Sequence, residues 1–430
     1  MRCTIHASSI SGRVIPPPSE SHAVRLLWGA CLGAGGAIGN CPDSKEVRAV
    51  LDMGKQMGAD IGFNPNEEIG QMTADVFGPG EPRFGPDFRC PTLTSARLAV
   101  PLACVTGEAT LALPVLPDGP MRALDRAAAR LGIRVSNIAQ KTEVRGEISA
   151  PELEIGDTGG AFWASGWAMA MPCARADLIL SLDDFVMERP ALRLSLGVLE
   201  QFGILWNLDE ESGELTIAPG QGYPELYGDA EQDWRTGSYL LGALLLAGQG
   251  EVWLESSSKQ AERAFWKKLE IPGATNADGW EMGWDEEGIH ARVDMARRLS
   301  LPASLDMRAY PSLLPLAMVL ATQNEHPVSI EPLYPVYPGF LRRARSMANA
   351  LNLVGGKVAM SEGSIRIEPS ALIGGHVDCE RDDRVAMALA LAGLVCPEPL
   401  IVENAQAVSK SHPGFWADLK SLGAKIKTDF

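Results

Sequence analysis

Six times along this chain an amphipathic helical stretch runs into a glycine-containing stop, mostly followed by a β-branched residue. The stretches begin at Leu51, Leu124, Leu196, Phe265, Met347 and Phe415, and their stop glycines are Gly58, Gly132, Gly203, Gly273, Gly355 and Gly423. The glycines lie 74, 71, 70, 82 and 68 residues apart. Glycine ends a helix by taking the left-handed conformation, and a β-branched residue after it opens a strand. Ordinary α/β alternation has no reason to keep so even a period. The chain therefore reads as six copies of one supersecondary unit.

Between these stretches lie six helical runs that are apolar nearly all round: Ala23 to Gly33, Ser95 to Val105, Gly166 to Cys173, Ser238 to Ala247, Leu313 to Ala321 and Arg384 to Leu394. A helix without a polar face is covered on every side. Each repeat is then strand, buried helix, strand, amphipathic helix, strands. Glu214 to Ala218, Glu251 to Leu254 and Ser364 to Glu368 are strand candidates. At 430 residues the chain is longer than one core usually serves, so six repeats imply two domains of three. The turn-rich stretch Pro219–Tyr227 marks a crossing, and residues 14–20 the other. The expected domains are 18–223, and 1–17 with 224–430.

Composition narrows the partners. A net charge of −16 excludes the basic footprint that nucleic acid or an anionic membrane requires, but not small anionic substrates, which feel only a local field. The eight cysteines are scattered without a CxxC pair, which points to reduced thiols in a cytoplasmic protein. The six histidines form no spaced cluster, so neither a metal site nor a cofactor is arguable. The N-terminus has no apolar signal-like region, and no stretch is long enough to span a bilayer.

One stretch suggests chemistry. In Ile15-Pro-Pro-Pro-Ser-Glu-Ser-His-Ala-Val-Arg25 the prolines hold an extended segment, after which Ser19 or Ser21 can cap a helix. Free N–H groups, the positive dipole end and Arg25 one turn in make an anion site, with Glu20 set against it. An ordinary capped helix with a surface Glu and Arg is the plainer alternative.

The repeat architecture, this opening Pro-Pro-Ser-x-Ser-x-x-x-Arg, the late Asp382-Asp-Arg-Val-Ala-Met387 and Val408-Ser-Lys-Ser-His-Pro413 together resemble the enolpyruvyl transferases, closest to the branch acting on shikimate 3-phosphate in the shikimate pathway. The resemblance covers essentially the whole chain. It implies a two-domain inside-out α/β prism, each domain three βαβαββ units, whose buried helices aim their N-termini into an interdomain cleft. It also implies a monomer whose partners are small anionic substrates: phosphoenolpyruvate and a shikimate-type carboxylate.

Residue by residue, the resemblance implies that Ser21 and Arg25 hold the shikimate carboxylate. Arg343 and Arg384 would clamp the phosphoenolpyruvate carboxylate, and Lys410 would contact its phosphate. Thr94 and Arg97 fall on the Thr and Arg of the family's phosphate loop. Plainer readings stand beside these. Arg343 lies in an Arg-Arg-x-Arg cluster on an amphipathic helix, Arg384 has Asp382 and Asp383 as neighbours, and Lys410 closely precedes a Pro413 helix start.

The departures carry equal weight. Glu20 stands where the family has lysine, Leu93 where it has the close-approach glycine, and Trp163-Ala-Ser165 where it has Ser-Ser-Gln. Gly119 stands where a phosphate-binding arginine is expected. Ser312, Gly339, Phe340 and Asp383 stand at the acid/base positions. Enolpyruvyl transfer needs a base at the hydroxyl, an acid at the vinyl carbon and stabilisation of a charged tetrahedral intermediate. Three readings follow: a divergent transferase of this branch, a family member repurposed for another small carboxylate, or a non-catalytic binding protein.

Overall fold

The computed structural model describes residues 1–66, 71–85, 88–138, 141–156, 158–187, 189–256, 265–266, 269, 280–284, 288–294, 299–333 and 338–429. The chain divides into two compact units, Pro18–Glu231, and Met1–Pro17 together with Gln232–Phe430. The return crossing lies beyond the expected 223/224 junction. Leu226–Asp229 is a strand that pairs in parallel with Gly35–Pro42, from Leu226 opposite Gly36 to Asp229 opposite Gly39. Sheet hydrogen bonds thus keep that stretch in the unit it closes.

In Pro18–Glu231 the helices are α1 (Glu20–Leu32), α2 (Lys45–Gln56), α3 (Leu93–Thr106), α4 (Asp118–Leu131), α5 (Thr158–Ala170), α6 (Asp184–Met187) and α7 (Pro190–Gln201). In the other unit they are α8 (Trp234–Ala247), α9 (Leu314–Thr322), α10 (Pro338–Leu353), α11 (Asp383–Gly393) and α12 (Phe415–Ser421).

Among the described residues there are six four-stranded sheets with one pattern. An edge strand runs parallel to a second, the second antiparallel to a third, and the third antiparallel to the fourth. Phe88–Arg89, Glu108–Ala112, Lys141–Arg145 and Arg134–Ile138 pair in that order. Gly12–Val14, Gln249–Glu255, Gly288–Asp294 and Trp280–Trp284 repeat it in the second unit. This is the βαβαββ repeat, three to a unit.

Burial explains the layering. Every residue of α9, and every residue of α11 after Asp383, is buried, whereas α2 and α4 bury one stripe each. Along Lys141–Arg145 only Thr142 and Val144 are buried, so that sheet has one inner and one outer face. Fully burying each Leu or Val side chain contributes roughly 1.5–3 kcal/mol, enough to hold helices inside and sheets outside. That is an inside-out prism of helices sheathed by sheets.

The stop glycines do what the repeat requires. Gly58, Gly132, Gly203, Gly355 and Gly423 take φ values of 100°, 75°, 71°, 96° and 105°, a region costly for residues with a Cβ. Gly273 lies outside the described residues. One boundary differs from expectation: α5 starts at Thr158, not near Gly166, and Met171–Cys173 forms a separate 3-10 turn. Gly159 sits inside α5 because the chain packs tightly there; a Cβ on it would lie 2.5 Å from the Gly119 carbonyl oxygen.

Candidate anion site

In the unit Pro18–Glu231 the entrance to α1 is capped by Ser19, whose Oγ accepts from His22 N at 3.3 Å. Ser21 lies within the first turn, and its carbonyl accepts from Arg25 Nη1 at 2.7 Å. The Arg25 residue is only 5% exposed. Its guanidinium is held by neutral partners: Nε donates to Ser195 Oγ at 2.8 Å, and Nη2 to Ser165 Oγ at 2.7 Å and Ala191 O at 3.2 Å. The two serine hydroxyls lie 2.8 Å apart. These contacts fix the guanidinium, a buried cation one turn into α1, against the faces of α5 and α7.

His22, which is buried, accepts from Glu231 N at Nδ1 (2.9 Å), and its Nε2 lies 3.2 Å from Gln201 Nε2. Burial holds its pKa below the usual imidazole value, with Arg25 adding to that effect and Glu231 and Gln201 opposing it. Ser19 N also donates to Glu231 O at 2.7 Å, so both ends of the unit are pinned at α1's start.

The α3 entrance is built differently from the phosphate loop that resemblance implies. Thr92 and Ser95 form a reciprocal capping box, Ser95 N donating to Thr92 Oγ1 at 3.1 Å and Thr92 N to Ser95 Oγ at 2.9 Å. The Thr92 hydroxyl donates to Glu46 Oε2 at 2.6 Å, placing a carboxylate beside the helix start. Leu93 is 40% exposed and Thr94 is half-buried. Arg97 spreads over the Phe162 ring at 4.4 Å. α3 and α5 pack closely there, since a Cβ on Gly166 would lie 1.9 Å from Arg97 O.

In the other unit, Arg343, Arg384 and Lys410 all contact the segment Arg381–Arg384. Arg343 Nε donates to both Asp382 oxygens at 3.0 Å and lies with Nη2 3.9 Å from Asp383 Oδ1. Arg384 Nε is 3.6 Å from Asp383 Oδ2. Lys410 Nζ donates to Arg381 O, and Ser411 Oγ to Asp383 Oδ2 at 2.6 Å. Asp382 also caps α11, accepting from Arg384 N and Val385 N. Burial alone would raise Asp383, but Arg384, Ser411 and Arg343 outweigh it and hold its carboxyl below the usual range. Arg384 is 6% exposed, and among the described residues its Nη1 has no hydrogen-bond partner.

Behind Arg384 stands a second buried pair. Asp233 caps α8 and binds Arg235 through two oxygens at 2.7 and 3.1 Å. Burial opposes its ionisation, and Arg235 and Arg384 overcome that opposition and lower its pKa. Tyr239 donates to Ser312 O at 2.9 Å; burial raises its phenol well above the usual value, so it stays protonated.

The sequence places Ser312, Gly339, Phe340 and Asp383 where the resemblance implies acid/base groups. Phe340 is fully buried, Gly339 has no side chain, and Asp383 is in the arginine cluster. The cysteines offer no replacement nucleophile, since burial pushes Cys31, Cys90, Cys104 and Cys173 up to about 12. Among the described residues no group of three His, Cys, Asp or Glu is placed to hold a metal, and no helix is long and apolar enough to cross a membrane.

Sequence reasoning missed Ser195, Glu46, Asp233 and Ser411. Ser195 alone left a signal: a serine on the apolar face of α7, flanked by Leu194 and Leu196, needs a buried partner.

Residues 5–419 match the EPSP synthase (3-phosphoshikimate 1-carboxyvinyltransferase) family. A relative of that name from Methanosarcina mazei is 28% identical over 438 residues, spanning 99% of this chain and 99% of its own. The structure titled EPSP synthase from Acinetobacter baumannii superposes with a TM-score of 0.76 at 15% identity, covering 100% of both chains. The enolpyruvyl transferase NikO from Streptomyces tendae gives 0.72 at 16% identity, covering 99% of this chain and 98% of its own. These two likenesses speak for the fold. With six βαβαββ repeats and a family match over nearly its whole length, the chain belongs to the EPSP synthase family of enolpyruvyl transferases.

Proposed function

We propose that this chain is a 3-phosphoshikimate 1-carboxyvinyltransferase-like protein that binds small carboxylates, with the phosphate-handling and proton-transfer parts of the family site altered. In this reading Arg343 and Arg384 hold the carboxylate of phosphoenolpyruvate or a similar acid, and Lys410 faces its other end. Ser21 and Arg25 hold a shikimate-type carboxylate, and Thr94 and Arg97 lie on the altered phosphate loop.

The observation that carries the reading is Arg384. Arg384 is 6% exposed, and although Asp383 lies 3.6 Å from its Nε, its Nη1 lacks any described partner, a buried donor that a ligand anion would satisfy. The fully buried Phe340 and the ion-paired Asp383 favour a second reading, in which the carboxylate site serves a different reaction.

Isothermal titration with phosphoenolpyruvate, shikimate and shikimate 3-phosphate, alongside inorganic phosphate release from the pair, tests both. Phosphoenolpyruvate binding that is lost in Arg384→Ala, with turnover slow or absent, is the expected result. Turnover at an ordinary enzymatic rate (roughly 1–1000 per second) removes the claim of altered proton chemistry. No binding of any of the three removes the carboxylate site itself.

A further inference from the structure

The basic cluster Arg342-Arg343-Ala344-Arg345 splits across α10. Arg343 turns to Asp382, while Arg342 and Arg345 are exposed and make no ion pair among the described residues. With Leu341, Ser346, Asn349 and Glu380 they line a cavity of about 420 Å³. Arg342, Arg345, Ser346 and Asn349 are spaced i, i+3, i+4 and i+7, so they form one stripe along the helix. The cavity falls within the range of small-molecule pockets, about 300–1,000 Å³.

Ser346 forms part of the floor and is itself buried, 5% exposed, so the groups that face the cavity are the charged ones around it. Glu380 reaches the cavity from a turn in which it and Arg381 both take positive φ, 51° and 58°, and its N–H is fixed by Asp378 Oδ1 at 2.7 Å.

The lining thus holds two guanidinium groups, one carboxylate, one amide and one hydroxyl. A phosphate ion would meet the Glu380 carboxylate, and a simple amine would meet two cations. A ligand carrying both charges satisfies all three groups. We propose that this cavity binds a small amino carboxylate, its carboxylate on Arg342 and Arg345 and its ammonium on Glu380.

Calorimetric titration of the full chain with L-glutamate, glutarate and inorganic phosphate tests this. Glutamate offers two carboxylates and one ammonium, the complement of the lining, and should bind tighter than either control. Arg345→Ala should weaken glutamate by about ten-fold, the order set by one charge-assisted contact. Glu380→Gln should abolish the preference for glutamate over glutarate while leaving glutarate no weaker. Both side chains are exposed, so neither variant threatens the fold. Absence of glutamate binding, equal or tighter binding of glutarate or phosphate, or glutamate affinity untouched by both variants would each overturn the proposal.

Discussion

The sharpest test of the carboxylate site is Asp383→Asn. The Asp383 carboxylate lies 3.6 Å from Arg384 Nε and 3.9 Å from Arg343 Nη2, so the chain already supplies an anion to the two arginines proposed to hold one. A ligand carboxylate on the same arginines would sit two charge-assisted contacts, roughly 6 Å, from Asp383. Two unit charges at that distance repel by about 3 kcal/mol at an effective dielectric near 20, on the order of a hundred-fold in affinity. Asparagine keeps the shape and can still accept from Ser411, while removing the charge. Phosphoenolpyruvate should therefore bind Asp383→Asn on the order of a hundred-fold more tightly, measured by calorimetry at fixed ionic strength.

Because the arginines and Ser411 hold the Asp383 pKa below its ordinary 3.8, its charge persists at mildly acid pH. Affinity of the unmodified chain should then gain nothing from Asp383 protonation between about pH 5 and pH 8. The variant should also be less stable, since both arginines lose a carboxylate. Equal or weaker binding by a folded Asp383→Asn protein would show that no carboxylate approaches these arginines.

Other expectations follow from the same geometry. Glu20→Lys should strengthen shikimate 3-phosphate binding ten-fold or more by reversing a charge at the α1 start, yet leave phosphate release low, because Phe340 and Gly339 still supply no proton chemistry. His22, its pKa lowered, contributes stability above the unfolded value near 6.5 that is lost as pH falls, since only the unfolded chain takes up the proton. The loss should run at up to about 1.4 kcal/mol per pH unit, and His22→Asn, which keeps an acceptor for Glu231 N, should flatten it in denaturant titrations at pH 7 and pH 5. Asp233→Ala removes the carboxylate that pairs with Arg235 and uncaps α8, so urea unfolding should show a loss of about 1–3 kcal/mol. Because the Asp233 pKa is depressed, that contribution is present above the ordinary 3.8 and disappears as pH falls through the folded value.

The fold was legible because glycine has a conformational monopoly. At Gly58, Gly132, Gly203, Gly355 and Gly423 a positive φ ends a helix, and the repeat follows from their spacing. The start of α5 was not, because Gly159-Gly160 looks like a break until the Gly119 backbone is seen against it. The return crossing was hidden for a similar reason: the parallel pairing of Leu226–Asp229 with Gly35–Pro42 joins residues remote in sequence. In the site, Arg25 and Arg384 were visible as lone charges at the head of apolar helices. Their surroundings were not. Ser165 and Ser195 reach Arg25 from sequence separations of 140 and 170 residues, and Glu46 reaches Thr92 across 46.

On the proposed assignment of ligands, the helix starts should discriminate between anions. A helix N-terminus stabilises negative charge, and in this chain each relevant start already has some of its own. Glu20 opens α1, Glu46 sits on the Thr92 cap of α3, and Asp382 and Asp383 sit at α11. Against them stand Arg25 at α1, Arg97 at α3, and Arg343, Arg384 and Lys410 at α11. The first two starts are formally neutral, while the third keeps one positive charge in excess. A phosphate dianion gains least at the neutral starts, where a fixed carboxylate faces it. A single carboxylate gains most at α11, where Arg384 Nη1 still lacks a described partner. The order of ligand affinity should therefore put phosphoenolpyruvate ahead of shikimate 3-phosphate, and raising ionic strength should narrow the gap by screening the excess charge. Titration of both ligands at two salt concentrations measures it; a shikimate 3-phosphate preference that survives high salt would mean the phosphate is held by groups other than these helix starts.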